Sequence, residues 1–220
     1  MTDATAPSAA AQRGPYQNGI RRRQEIVESA SRVFASYGFT SGSLRRIADE
    51  VGVTPAALTR HFGNKEGLLS AVLAKWDRDA QLRNTPGIRG LDYFIGLRDT
   101  LAYNQANRGL IELFLTLSAE STNADHPARD FIQGRYRHVV ATGIQHLREA
   151  RDAGETVGLD DEAISTEVRS VFATMDGLQL QWLLNPGIDL IGSFSHALAG
   201  YLERWTGRPY VLPPLAAGTD

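Results

Sequence analysis

Cysteine is absent from this 220-residue chain, which excludes a disulfide framework, a thiolate metal site and a cysteine nucleophile. Long hydrophobic runs are absent too, since no stretch approaches the roughly 18 consecutive apolar residues that would span a bilayer. Residues 1–19 lack the continuous apolar segment of a signal peptide. We therefore expect a cytoplasmic protein with no membrane partner.

Motifs of the common enzyme classes are missing as well. The sequence contains no HExxH pair, no glycine-rich phosphate loop and no GxSxG turn. The five histidines show no ligand spacing, and the acidic run 160–162 precedes a predicted helix, where carboxylates favour the helix dipole. We expect no enzymatic activity, no cofactor and no metal site.

The net charge of -2 comes from 23 basic and 25 acidic residues. This sum conceals an asymmetry, because residues 1–76 carry a charge of +4 and residues 77–220 a charge of -6. A basic front part on an acidic body indicates a front part that faces nucleic acid.

Apolar residues recur at three- and four-residue spacing along most of the chain, which is the period of amphipathic helices. No segment alternates with period two over the length of a strand. The sequence therefore predicts an all-α protein between a flexible arm (1–19) and an irregular tail (207–220). Predicted helices cover about 20–37, 44–51, 55–62, 65–76, 91–106, 109–121, 127–152, 161–184 and 189–206.

The segment from Ser43 to Phe62 predicts two short helices joined by a tight turn at Gly52. Ser43 and Thr54 can cap these helices by accepting a hydrogen bond from a free backbone N–H. In a helix-turn-helix of this kind, the first helix crosses the phosphate backbone and the second lies in the major groove. The predicted inward-facing residues are Ile47, Ala48, Leu58 and Phe62.

Residues 20–76 resemble the TetR family of transcriptional regulators. The resemblance implies a homodimeric repressor of a palindromic double-stranded DNA operator, released by a small-molecule effector. Residues 20–66 would form a helix-turn-helix DNA-binding domain and 67–206 a larger helical domain for effector binding and dimerisation. The matching residues are Phe34-Ala35, Tyr37-Gly38-Phe39-Thr40, Ile47-Ala48, Gly52-Val53, Leu58, His61-Phe62, Lys65-Glu66 and Leu68-Leu69.

The resemblance also implies roles for the residues around the motif. Arg45 (ahead of Arg46) and Lys65 are expected at phosphates, and Arg60 at a guanine or a phosphate. Thr59 departs from the family, which often has a phosphate-contacting tyrosine there. The predicted DNA-binding residues are Arg45, Thr54, Ala56, Ala57, Thr59, Arg60, His61 and Lys65.

The basic run 21–23 allows two interpretations, a contact with DNA or a solubilising helix start. The body offers aromatic and apolar side chains for a largely apolar effector, although ordinary core packing explains the same stripes. The predicted effector-binding residues are Leu101, Phe114, Leu117, Tyr136, Phe172, Met175 and Gln179, with Asn104, Gln105 and His138 as further polar candidates.

The last two long helices are expected to form a four-helix dimer interface, as the resemblance implies. Gly177 would permit a close helix crossing there, and the last helix bears a broad apolar stripe; packing within one subunit is the alternative. The predicted interface residues are Gly177, Phe194, Leu198 and Tyr201.

A second functional hypothesis belongs to another class. The modest charge of the front part and the departure at Thr59 also allow a helical small-molecule-binding protein that no longer binds specific DNA.

Overall fold

The computed structural model describes residues 14–83 and 87–215. Within these ranges the chain is all-α, as predicted, with nine helices and no strand. The helices are α1 (Gly14–Ser41), α2 (Leu44–Val51), α3 (Pro55–Phe62), α4 (Lys65–Arg83), α5 (Leu91–Ala106), α6 (Arg108–Glu120), α7 (Arg129–Asp152), α8 (Asp161–Leu184) and α9 (Leu190–Thr206).

Helix α1 begins six residues before the predicted start at 20, so part of the predicted arm is helical. Pro15 lies in the first turn, where its missing N–H leaves no hydrogen bond unmade. Residues 1–13 of the arm lie outside the described residues. Gly38 interrupts α1 where the first predicted helix ends; its φ of 73° is positive, as glycine allows, but its ψ of 169° is extended rather than the expected left-handed helical value.

Side-chain caps fix the starts of the short helices. The Ser43 hydroxyl accepts a hydrogen bond from the backbone N–H of Arg46 at 3.1 Å, and the Thr54 hydroxyl accepts one from Ala57 at 3.2 Å. Both predicted caps are therefore confirmed. Each satisfies a backbone donor that the helix itself leaves unpaired.

The chain divides into two compact units, with the boundary inside α4 between Trp76 and Asp77. The N-terminal unit buries one stripe of α1 together with the inner faces of α2, α3 and the first part of α4. Its fully buried side chains include Ile26, Phe34, Ile47, Leu58 and Leu68. Burial of each such side chain stabilises the unit by about 1.5–3 kcal/mol.

The C-terminal unit is a bundle in which α5 packs on α9 and α7 packs on α8. The ring of Phe94 on α5 meets Trp205 on α9 edge to face, with centroids 4.8 Å apart. A Cβ atom added to Gly143 on α7 would lie 2.8 Å from Cγ1 of Val168 on α8. This glycine therefore allows the two helices their close approach.

Residues 207–215 follow α9 without helix or strand, yet they are held in place. The guanidinium of Arg98, a buried residue of α5, donates a 2.7 Å hydrogen bond to the carbonyl of Pro213. Within the part of the chain that the structure describes, no helix is long and apolar enough to cross a membrane.

Candidate nucleic-acid interface

Helices α2 and α3 form the predicted helix-turn-helix. Gly52 adopts the left-handed conformation (φ 69°, ψ 45°), and the backbone N–H of Val53 donates to the carbonyl of Ala48 at 2.9 Å. A left-handed residue closes a helix end and reverses the chain in few residues. The four residues predicted to face inward are all buried, which confirms the helix faces: Ile47, Ala48, Leu58 and Phe62.

The outer face of α3 is formed by small side chains and one arginine. The cap Thr54 and the first helical residue Pro55 are exposed. Further along the helix, Ala56, Thr59 and Arg60 are exposed, while Ala57 and His61 are half-buried. Small side chains let a helix backbone approach base edges closely, and a guanidinium can pair with guanine or phosphate. Arg60 is thus the long polar side chain exposed on this face.

Thr59 shows why its departure from the family pattern matters. Its hydroxyl donates a 3.1 Å hydrogen bond to the carbonyl of Pro55, one turn back in the same helix. The hydroxyl is therefore already engaged by α3, and it must rotate before it can donate to a phosphate.

Basic side chains flank α3 from the neighbouring helices. Arg45 is exposed and makes no hydrogen bond or ion pair within the described ranges. The guanidinium of Arg46 instead lies 3.8 Å from the ring centroid of Tyr37, and the Lys65 amine lies 4.6 Å from that of Phe39. These aromatic faces hold two cations in defined positions, whereas Arg45 extends into solvent.

The run 21–23 has a structural role that neither sequence interpretation contained. The Arg22 guanidinium donates to the carbonyls of Val51 and Gly52 at 2.9 and 3.2 Å, so α1 holds the end of α2. The Arg23 guanidinium lies 4.7 Å from the ring centroid of Phe62. These contacts join residues about thirty or more positions apart, so no local sequence pattern could have predicted them.

The predicted effector-binding residues all lie in the C-terminal unit. Two of them face polar partners on neighbouring helices. The side-chain oxygen of Gln179 accepts a 2.7 Å hydrogen bond from the amide of Asn104, and the Tyr136 hydroxyl donates to Asp176 at 2.7 Å. The apolar members are buried: Leu101, Phe114, Leu117, Phe172 and Met175.

Asp176 is a residue that sequence reasoning passed over. Burial raises the pKa of its carboxyl group above the ordinary value, while the Tyr136 hydrogen bond and the charge of Arg135 lower it. Burial also raises the pKa of the Tyr136 hydroxyl, and the neighbouring Asp176 charge raises it further. The sequence did contain a signal for this residue, because an acid next to the predicted effector-binding residue Met175 lies near the apolar stripe of α8.

The predicted dimer residues divide into two groups. Phe194 and Leu198 are fully buried in their own unit, so their prediction as interface residues was wrong: periodicity marks an apolar face but not what covers it. Tyr201 is half-buried, with its hydroxyl 2.9 Å from that of Thr174, and Gly177 has open space where a Cβ would stand.

Exposed apolar residues lie elsewhere on α8. Leu180 is 50% exposed and Leu184 is 79% exposed. They follow Gly177 at spacings of three and four residues, which places all three on one stripe of the helix. Among the described residues, no group of three histidine, aspartate or glutamate side chains is placed to hold a metal ion.

Comparison with known proteins identifies a family that matches part of the N-terminal unit and a relative that matches about half of the chain. Residues 26–72 match the model of the bacterial regulatory proteins of the tetR family. The chain is 30% identical over 122 residues to the transcriptional repressor KstR2 of Rhodococcus jostii, covering 54% of this chain and 52% of KstR2. It thus spans about half the length of this curated relative.

Solved structures share the fold over most of the chain. A TetR transcription regulator from Haloarcula marismortui aligns with a TM-score of 0.70 at 17% identity, covering 84% of this chain and 98% of that one. The regulator FadR from Bacillus subtilis, solved in complex with stearoyl-CoA, aligns with a TM-score of 0.68 at 19% identity, covering 82% and 98%.

Proposed function

We propose that this chain is a ligand-responsive transcriptional repressor of the tetR family of bacterial regulatory proteins, and that it binds operator DNA as a homodimer. The observation that carries the proposal is the outer face of α3. That face presents Arg60 among small side chains, and Arg45 and Lys65 flank it on the neighbouring helices. Both features match what a major-groove reading helix needs: close approach, a base-directed guanidinium and phosphate contacts beside it.

In this proposal residues 20–66 read DNA, and residues 67–206 bind effector and partner subunit. Two copies on a two-fold axis would read half-sites in successive major grooves, about 34–36 Å apart or a multiple of that distance. Arg60 contacts a base and Arg45 a phosphate. The shorter side chains of α3 and its cap contact DNA beside them: Thr54, Ala56, Ala57, Thr59 and His61.

The dimer in this proposal uses the exposed stripe of α8 rather than the buried stripe of α9. Leu180, Leu184 and Gly177 provide apolar surface and a close crossing, and Tyr201 of α9 lies beside α8 through its contact with Thr174. Exposed leucines of this size in one helical stripe are typical of a surface that a partner covers.

Release from DNA follows if the effector binds better to a conformation that DNA does not accept. The bound stearoyl-CoA of the FadR structure supports the proposal that this fold holds a small molecule in the chain described here as well.

The test measures binding of the purified protein to the DNA upstream of its own coding region. Fluorescence anisotropy gives the affinity at several salt concentrations. Specific binding should weaken steeply with salt, because phosphate contacts release counterions. Arg60→Ala should weaken specific binding by about 1–3 kcal/mol and relax the preference at one base position. An equal loss on all sequences would instead make Arg60 a phosphate contact.

The competing function is a helical small-molecule-binding protein without specific DNA binding. The engaged hydroxyl of Thr59 is the observation that favours it. Binding that shows neither sequence preference nor a steep salt dependence would establish this alternative and overturn the repressor.

A further inference from the structure

A cleft of about 300 Å³ opens between the second half of α4 and the first half of α7. Its volume is at the lower end of the range for small-molecule sites. Asp77 comes from α4 and every other lining residue from α7. The lining residues are Asp77, Asp130, Phe131, Gly134, Arg135 and His138.

The cleft holds one established ion pair. The guanidinium of Arg135 binds the carboxylate of Asp77, and both side chains are largely buried. This pair joins the second half of α4 to α7. The pair is formed by α4, the helix whose first part belongs to the N-terminal unit and whose second part belongs to the C-terminal unit.

A second carboxylate of the cleft has no such partner. Asp130 is exposed in the first turn of α7 and forms no ion pair or side-chain hydrogen bond with the described residues. The helix dipole accounts for an acid at this position, but it does not neutralise a full charge. Beside Asp130, the half-buried Phe131 provides an aromatic surface, and Gly134 leaves space where a side chain would stand.

A third carboxyl group, that of Asp176, contacts α7 from α8. Tyr136, the residue after Arg135, donates its hydroxyl hydrogen to Asp176 on α8 at 2.7 Å. The charge of Arg135 lowers the pKa of the Asp176 carboxyl, so the guanidinium acts on that group as well as on Asp77. Arg135 therefore interacts with two carboxyl groups, those of Asp77 and Asp176, whereas Asp130 has no basic partner among the described residues.

We propose that the effector of this protein is a small organic cation, an amine or guanidine on an aromatic or apolar stem, which binds in this cleft. Its charged group pairs with Asp130 and competes with Arg135 for Asp77, and its stem lies on Phe131. Competition for Asp77 weakens the tie between α4 and α7, which gives the ligand a preference for one conformation. The inference rests on the proposed function, since it names the effector class.

The experiment compares three probes of similar shape and different charge: 2-phenylethylamine, the neutral 2-phenylethanol and the anionic 3-phenylpropanoate. Binding to the full-length protein is measured by calorimetry, with panels of aryl-alkyl amines and guanidines extending the first probe. The amine should bind saturably and at least about tenfold more tightly than the other two, a difference of about 1.4 kcal/mol. Tighter binding of the anion, or no binding by any member of the cation panels, overturns the inference.

Two variants test the site. Asp130→Asn should weaken the amine at least about tenfold, since it removes the unpaired charge. The matched control is Glu162→Gln, an exposed acid in the first turn of α8, which should leave binding unchanged. Arg135→Gln should tighten amine binding by removing the competitor, and unchanged or weaker binding in this variant would contradict the competition.

The two proposals fail separately. Operator binding without amine tests the repressor, and amine binding without DNA tests the cleft. A protein that binds its operator but no cation retains the proposed function and refutes the effector class. A protein that binds the amine through Asp130 but no DNA keeps the cation site and loses the repressor.

Discussion

The guanidinium of Arg22 donates a 2.9 Å hydrogen bond to the backbone carbonyl of Val51, the last residue of α2. A helix leaves its final carbonyls unpaired, and its C-terminal end attracts positive charge. Arg22 meets both needs from the facing helix α1, and it also reaches the carbonyl of Gly52. The turn of the helix-turn-helix is therefore held from outside as well as by its own glycine.

Replacing Arg22 should loosen this turn. Arg22→Ala is expected to lower the free energy of unfolding by about 1.5–3 kcal/mol, the range for hydrogen bonds to a charged group. The measurement is chemical denaturation, with operator affinity recorded in parallel. Arg21→Ala is the matched control, because Arg21 pairs only with the partly exposed Glu25, and it should lower the free energy of unfolding clearly less than Arg22→Ala does. Equal losses in both variants would show that the carbonyl contacts contribute little.

The cap of α3 should affect both stability and DNA binding. Thr54→Ala removes the oxygen that accepts the Ala57 N–H and should cost about 1 kcal/mol of unfolding free energy. Thr54→Ser keeps that oxygen, so thermal unfolding and operator affinity should stay close to those of the parent protein. If the serine variant loses as much as the alanine variant, the methyl group rather than the cap is responsible.

The exposed stripe of α8 predicts an effect on assembly. Leu184→Glu should convert the proposed dimer to a monomer, measured by light scattering after size-exclusion chromatography, because it would place a charge in the proposed apolar interface. Val211→Glu is the control, since Val211 is 91% exposed and lies outside the stripe. If the Leu184→Glu variant is still a dimer, the interface does not lie on this stripe of α8.

The fully buried Leu198 should behave differently from Leu184. Leu198→Ala is expected to lower the free energy of unfolding by about 2–5 kcal/mol through lost packing and a cavity. Its subunits should still assemble, which is measured by the same light scattering. Loss of the dimer without loss of stability would restore Leu198 to the interface.

Asp176 predicts a stability that depends on pH. Its carboxyl pKa is raised in the folded protein, so the folded state holds this proton more tightly than the unfolded state does. This contribution to stability is present below the ordinary aspartate pKa and is lost as pH rises through the folded pKa. Asp176→Asn should therefore gain melting temperature relative to the parent at neutral pH, and the gain should shrink toward pH 4.

Asp161 is the control of opposite sign. Hydrogen bonds from Arg151 and Arg148 lower the pKa of its carboxyl group in the folded protein. Its contribution is thus present at neutral pH and lost in acid. Asp161→Asn should lower the melting temperature at neutral pH and approach the parent protein near pH 3, so the two variants should diverge as pH rises.

The sequence predicted the features that depend on neighbouring residues. The helix-turn-helix was placed correctly because Ser43, Thr54 and Gly52 act within their own turns through caps and a left-handed φ. The bounds of α8 were predicted for the same reason, since Asp160 caps its first turn. The start of α1 was missed because helix continues there without an apolar stripe to mark it.

Features set by distant contacts could not be predicted in the same way. Arg22 finds its carbonyls across 29 positions, and no spacing rule connects the two sites. Phe194 and Leu198 form an apolar stripe that looks the same whether its cover is another helix of the subunit or a partner. The Asp176–Tyr136 pair needs the packing of α7 on α8 before either residue has a partner.

The bond between Arg98 and Pro213 has a consequence for the order of synthesis. The N-terminal unit contains its own core by residue 76, whereas the C-terminal unit is fastened only when residue 213 has been made. At about 5–20 residues per second, the ribosome needs roughly 7–27 s to cover the distance between them. During that interval a helix-turn-helix unit with its own core is attached to an unfinished body.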